Sequence, residues 1–309
     1  MKVKLFASAA ACAIALGGVS LEWGETTAQG ASFINPLAML GGICGDGGEI
    51  AARRALFLRA AAAYAASQVD ADGAAPSFAG VDGVGYEIST GSAEAQAQFD
   101  AGVAHMWNFN HGAAVAAFKA AQAADPGCAM CFWGEALALG PNINAPMDPE
   151  ANGPAYAAYE NAFSLRDGAN EREKALINAL SYRYSAAPPE DRAKLDAAFA
   201  DAMRDVAADF PEDDFIAVTA AEANMDTQPW DYWETDKRTP KGRTAETLSL
   251  VEAVLARNPD YQAAIHLYIH LTEASTNPYR AASYADALGE LSPGLGHLIH
   301  MPSHVYYRI

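Results

Sequence analysis

Positive charge is the scarcest ingredient of this sequence. Lysine and arginine number 20 against 38 acidic residues, for a formal net charge of −18. Such a balance argues against nucleic-acid binding and against docking on anionic membranes, while it tolerates cationic ligands and metal ions. Cysteine is also sparse, with only Cys12, Cys44, Cys128 and Cys131. Beyond residues 5–21 no run is long and apolar enough to span a bilayer. There is no glycine-rich phosphate loop, no nucleophile elbow and no HExxH motif. The stretch His266–His270, HLYIH, lacks the glutamate that a zincin needs after its first histidine.

What is present is alanine-rich, periodic sequence, with 51% hydrophobic residues over 309 positions. That is enough for a sizeable core and suits packed helices. Residues 1–30 read as a secretory signal: Lys2 and Lys4, then the apolar LFASAAACAIALGGVSL, then small residues at Ala28, Gly30 and Ala31. Removing them takes away Lys2, Lys4, Glu22 and Glu25, so the charge stays at −18. The expected location is therefore exported, periplasmic or extracellular. Residues 31–92 read as an extension with one helix over 48–68 and a linker over 70–92. From residue 93 onward the pattern predicts helices over 93–124 (a hairpin with its second helix opening near Asn110), from Cys128 to Gly140, and over 155–165, 170–186, 190–209, 213–225, 244–257, 261–274, 278–290 and 296–309. Two Pro-bearing insertions, 140–154 and 226–243, interrupt them.

One stretch, His266 to His304, holds five of the seven histidines. His266 and His300 are 34 residues apart, and so are His270 and His304, and Pro259 and Pro293. A fixed period of that size on helical sequence marks stacked helical hairpins. Upstream, Gly102, Ala114, Phe118, Ala121 and Pro126 fall at positions 8, 20, 24, 27 and 32 of a tetratricopeptide (TPR) repeat beginning at 95. In a repeat beginning at 262, Ala281, Leu288 and Pro293 agree, while Ile269 is large for position 8. The chain thus resembles bacterial exported TPR proteins, through NFNHGAAVAAFKAAQAADPGCAMCFWGEALALGPNIN and the later GHLIHMPSHVYYR. The resemblance implies an all-α, right-handed solenoid of antiparallel helical hairpins over 93–309, with long loop insertions and a concave groove. It also implies that the hairpin begun at 296 would continue past Ile309, so the solenoid is expected to be truncated at its C-terminus.

The same resemblance puts His266, His270 and Glu273 at groove-facing positions 5, 9 and 12 of one repeat, and His297, His300 and His304 at positions 2, 5 and 9 of the next. Spacings of i, i+4, i+7 in the first trio and i, i+3, i+7 in the second place each on one helical face, and helices packed ~8–10 Å apart let such trios meet. Imidazoles with a carboxylate suit a transition metal ion such as zinc, copper, nickel or iron. A groove for another ligand, including a protein or peptide partner, and a purely structural role are the competing readings. A metal-dependent enzyme would add Glu273 or another carboxylate as base. Pro302 strains the alignment, because a proline breaks a helix outside its first turn. Cys128 and Cys131 form a CxxC at a helix start, read as a local disulfide, as buried unreacted thiols, or as a redox or metal-binding pair. Phe132, not histidine, follows, which excludes a haem attachment motif. Asn110 is the expected N-cap in the cluster Asn108, Asn110, His111. Asn142 and Asn144 could reach a ligand from the first insertion, and Trp107, Trp133, Trp230 and Trp233 read as core or loop anchors.

Overall fold

The structure is a computed structural model that describes residues 83–187 and 189–309, all within the second of two compact units. The residues read as a signal, the helix expected over 48–68, most of the expected linker, Cys12 and Cys44 lie outside the described residues. Among the described residues the regular structure is helical throughout, and no helix is long and apolar enough to cross a membrane.

The helices are α1 (Ala93–Trp107), α2 (His111–Ala124), α3 (Ala129–Ala138), α4 (Asn152–Leu165), α5 (Glu171–Leu180), α6 (Ala193–Asp209), α7 (Asp214–Asp226), α8 (Thr244–Arg257), α9 (Gln262–Thr272), α10 (Ala282–Leu291), α11 (Gly296–His300) and α12 (Pro302–Tyr306). Their starts follow from side chains that satisfy free backbone N–H groups. Ser92 accepts from the Ala95 amide, Asn110 from Ala113 and Asp213 from Ile216. Asn170 and Glu173 close a reciprocal capping box at α5.

Consecutive helices pack against one another: α1 on α2, α2 on α3, α3 on α4, α6 on α7, α7 on α8 and α8 on α9. They fall into two kinds. In α7 every residue from Phe215 to Asp226 is buried, and in α9 every residue is buried. By contrast, α6, α8 and α10 bury a single stripe, as outer helices do. The α1–α2–α3 packing turns on Phe118. A Cβ added at Gly102 would meet its ring at 2.6 Å, and one at Gly134 at 2.4 Å. Glycine at both positions lets one aromatic ring fill the space between three helices.

Two predicted boundaries fail for physical reasons. The helix expected over 170–186 stops at Leu180, and the chain tightens through i+3 bonds from Tyr182 and Arg183. Beyond it, Arg183 donates to the Pro141 carbonyl at 2.8 Å and pairs with Asp226 at 3.1 Å, while the Tyr184 hydroxyl donates to the Ala136 carbonyl. Past the helix end, both side chains turn into the interior, where these partners wait. The helix expected over 296–309 is divided at Met301. Pro302 occupies the first position of α12, where its missing N–H costs nothing.

Candidate metal centre

The α1–α2 turn meets the C-terminal helices. Asn108 accepts hydrogen bonds from the backbone N–H of His297 at 2.8 Å and of Leu298 at 3.3 Å. It therefore caps α11 from 189 positions away, a service that Leu295, the residue before α11, has no side-chain oxygen to perform. The next residue, Phe109, has φ of 51°, a left-handed conformation unusual for a bulky side chain. Its ring lies 4.5 Å from that of His266, 5.0 Å from His297 and 6.3 Å from His270. Trp230, in the second insertion, also takes a positive φ, 65°, and meets His270 edge-on at 5.0 Å. Two of the three non-glycine residues with positive φ among the described residues thus wall one histidine cluster. Backbone strain of this kind gathers where a site is held in place by its surroundings.

All five C-terminal histidines and Glu273 come together there. The Nε2 atoms of His266 and His297 are 3.1 Å apart. His270 Nδ1 lies 3.1 Å from Glu273 Oε1, and His304 Nδ1 lies 3.2 and 3.0 Å from the two Glu273 oxygens. His300 reaches only the edge, its Nε2 2.8 Å from that of His304 and its side chain toward solvent. The pairing expected from the 34-residue offset is therefore altered. His297, not His300, stands opposite His266, because the turn at Met301–Pro302 resets which face of the last segment points inward. A second correction concerns exposure. His266 and His270 do not line an open groove; they are 0% and 1% exposed, since α9 is covered on every side.

Burial sets the protonation. It lowers the pKa of His266 well below the usual histidine value, with His297 and His270 adding repulsion. Burial likewise brings His297 to about 3 and lowers His270, although the Glu273 hydrogen bond opposes the latter. Burial alone would raise Glu273, but its hydrogen bonds to His270 and His304 outweigh this and hold it at about 2. At neutral pH His266, His270 and His297 are thus neutral imidazoles beside one carboxylate. The carboxylate only accepts, so His270 donates through Nδ1–H and its Nε2 carries a lone pair. That Nε2 is buried without a hydrogen-bond partner.

The donor atoms fall into two groups that share His270. One donor each from His266, His270 and His297 lies within 4.8 Å of the others, and the same holds for His270, Glu273 and His304. Two ligands at about 2.1 Å from one ion stand roughly 3.0–3.4 Å apart, so the contacts of 3.0–3.2 Å here match joint coordination. The chemistry available to such a set is cation binding, with Lewis-acid chemistry at any position left open.

The remaining sequence candidates divide. His111 is committed elsewhere: its Nδ1 donates to the Ala138 carbonyl at 3.1 Å, so its Nε2 accepts from Asn142 Nδ2 at 3.0 Å. Asn142 also accepts from the Asn144 and Ala145 amides, organising the first insertion. Cys128 and Cys131 are joined as a disulfide with sulfurs 2.03 Å apart. Trp107 and Trp133 are core residues, and Trp233 anchors its insertion by donating to the Leu271 carbonyl at 2.7 Å.

Sequence reasoning missed Phe109 and a second buried polar centre. There, Glu222 and Asp226 lie inside α7 with Arg183. Burial raises both carboxyl pKa values above their usual range, and for Glu222 the Asp226 charge adds to it. The signal was available as two acids four residues apart, Glu222 and Asp226, on an alanine-rich, largely apolar helix. Comparison of the chain with protein-family models, with curated proteins and with solved structures finds no match.

Proposed function

We propose that this chain is an exported, TPR-type helical-hairpin protein that binds a transition metal ion through the cluster His266, His270, Glu273, His297 and His304. One observation carries the reading. Three imidazoles in the buried centre are neutral, and one of them presents a buried nitrogen with no partner in the protein. A polar atom buried without a partner costs about 1–3 kcal/mol, and coordination to an ion would remove that cost. The nitrogen-rich set with a single carboxylate favours zinc, copper or iron over calcium or magnesium, which prefer all-oxygen ligands. Phe109 and Trp230 provide an apolar wall that would limit water around a bound ion. A protein or peptide partner in a concave groove has less support, because His266, His270 and Glu273, expected to line that groove, are buried. Export rests on the signal-like residues 1–30, and the Cys128–Cys131 disulfide suits an oxidising space. Elemental analysis of a preparation without a metal-binding tag should find at least about one first-row metal per chain. His270→Ala should remove it while circular dichroism stays helical. Metal-free wild-type protein that also fails to take up zinc or copper would overturn the proposal.

A further inference from the structure

We propose that the cluster holds two ions, with His270 as the ligand between them. This inference rests on the metal reading above and goes on to its stoichiometry. The two donor groups share one residue only, and that residue has two donor atoms. Its Nδ1 is engaged at 3.1 Å by Glu273, in the group completed by His304. Its Nε2 is the buried atom without a partner, left over to join His266 and His297. Ring nitrogens of one imidazole point away from each other, so one ion cannot use both. The two groups are therefore two coordination positions stepped along α9, the first using His266 and His270 at i, i+4 and the second using His270 and Glu273 at i, i+3.

Each group also draws one ligand from the last segment, His297 from α11 and His304 from α12. The turn at Met301–Pro302 sets these two at different heights. The single carboxylate lies in the second group, and its charge offsets part of that of a second divalent ion. Seating that ion requires His270 to lose its Nδ1 proton, which passes to solvent. The resulting imidazolate supplies one lone pair to each ion and a further negative charge. His304 coordinates through Nδ1 by shifting its own proton to Nε2, so one proton leaves per second ion bound. His300, exposed beside His304 at 2.8 Å, marks the side from which that ion would enter.

The test uses Cu²⁺ on the tag-free full chain, with excess removed by gel filtration and helical content followed by circular dichroism. Two coppers per chain are expected in wild type, and one in each of His297→Ala and His304→Ala, with Glu273→Gln as an alternative to the second. At low temperature, spins bridged by an imidazolate couple. The integrated paramagnetic signal of wild type should therefore fall well below its copper content, while the single copper of His297→Ala should give its full signal. One copper in wild type that survives His304→Ala would overturn the bridge, reducing Glu273 and His304 to supports that orient His270. Two coppers with full signal would also overturn it, because the second ion would then lie elsewhere. No copper at all would overturn the metal reading itself.

Discussion

At the scale of single residues, Asn108 decides how the last segment enters the site. Its side-chain oxygen holds the amides of His297 and Leu298, and so fixes where the His297 ring points. Asn108→Ala should cost about 1 kcal/mol, as loss of an N-cap does, and should weaken zinc binding several-fold. Asn108→Asp should keep both, because a carboxylate accepts the same bonds and suits a helix N-terminus. Urea unfolding and zinc titration would check this, and unchanged zinc affinity in the alanine variant would remove Asn108 from the site. Neither Asn108 nor Phe109 could be assigned to the cluster from the sequence, because each acts on residues far along the chain. The candidate ligands on α9 were legible, since His266, His270 and Glu273 share a helical face wherever that helix packs. Which histidine of the last segment opposes them was not, because it depends on a local turn at Met301 that a 34-residue offset does not encode.

At the scale of helices, packing rests on small residues facing one aromatic ring. Phe118 is fully buried between Gly102 and Gly134. Phe118→Ala should destabilise the protein by about 3–5 kcal/mol, and Gly134→Ala by about 1–3 kcal/mol through overpacking. Chemical denaturation of the two variants would measure both, and a Gly134→Ala protein as stable as wild type would show that the ring can move aside. Gly102 and Phe118 were legible because their spacing follows a known hairpin pattern. The end of α5 was not. Its sequence remains helix-compatible, and the helix yields to the burial of Arg183 and Tyr184, whose partners Pro141, Asp226 and Ala136 sit on other elements.

At the scale of the whole molecule, buried histidines control the response to acid. Burial lowers His105 and His111 to about 4 and His297 to about 3, and it also lowers His266, His270 and His300. In the unfolded chain these groups titrate near 6.5, so below that pH the unfolded state binds more protons and stability falls. Glu222 and Asp226 act in the opposite sense, since their raised values favour the folded state until they ionise as pH rises toward neutrality. Six histidines against two carboxyls leave acid destabilisation dominant. The melting temperature of metal-free protein should drop by about 5–10 °C between pH 6.5 and 4.5, and a flat or rising profile would contradict the assigned burial. The same neutral imidazoles are the basis of the metal proposal, and X-ray absorption at the edge of the bound metal tests it most directly. The expected spectrum has a first shell of nitrogen and oxygen at about 2.0–2.1 Å, with the outer-shell scattering of at least two imidazoles. Protein that binds no metal, or a bound ion with no imidazole scattering, would contradict the account.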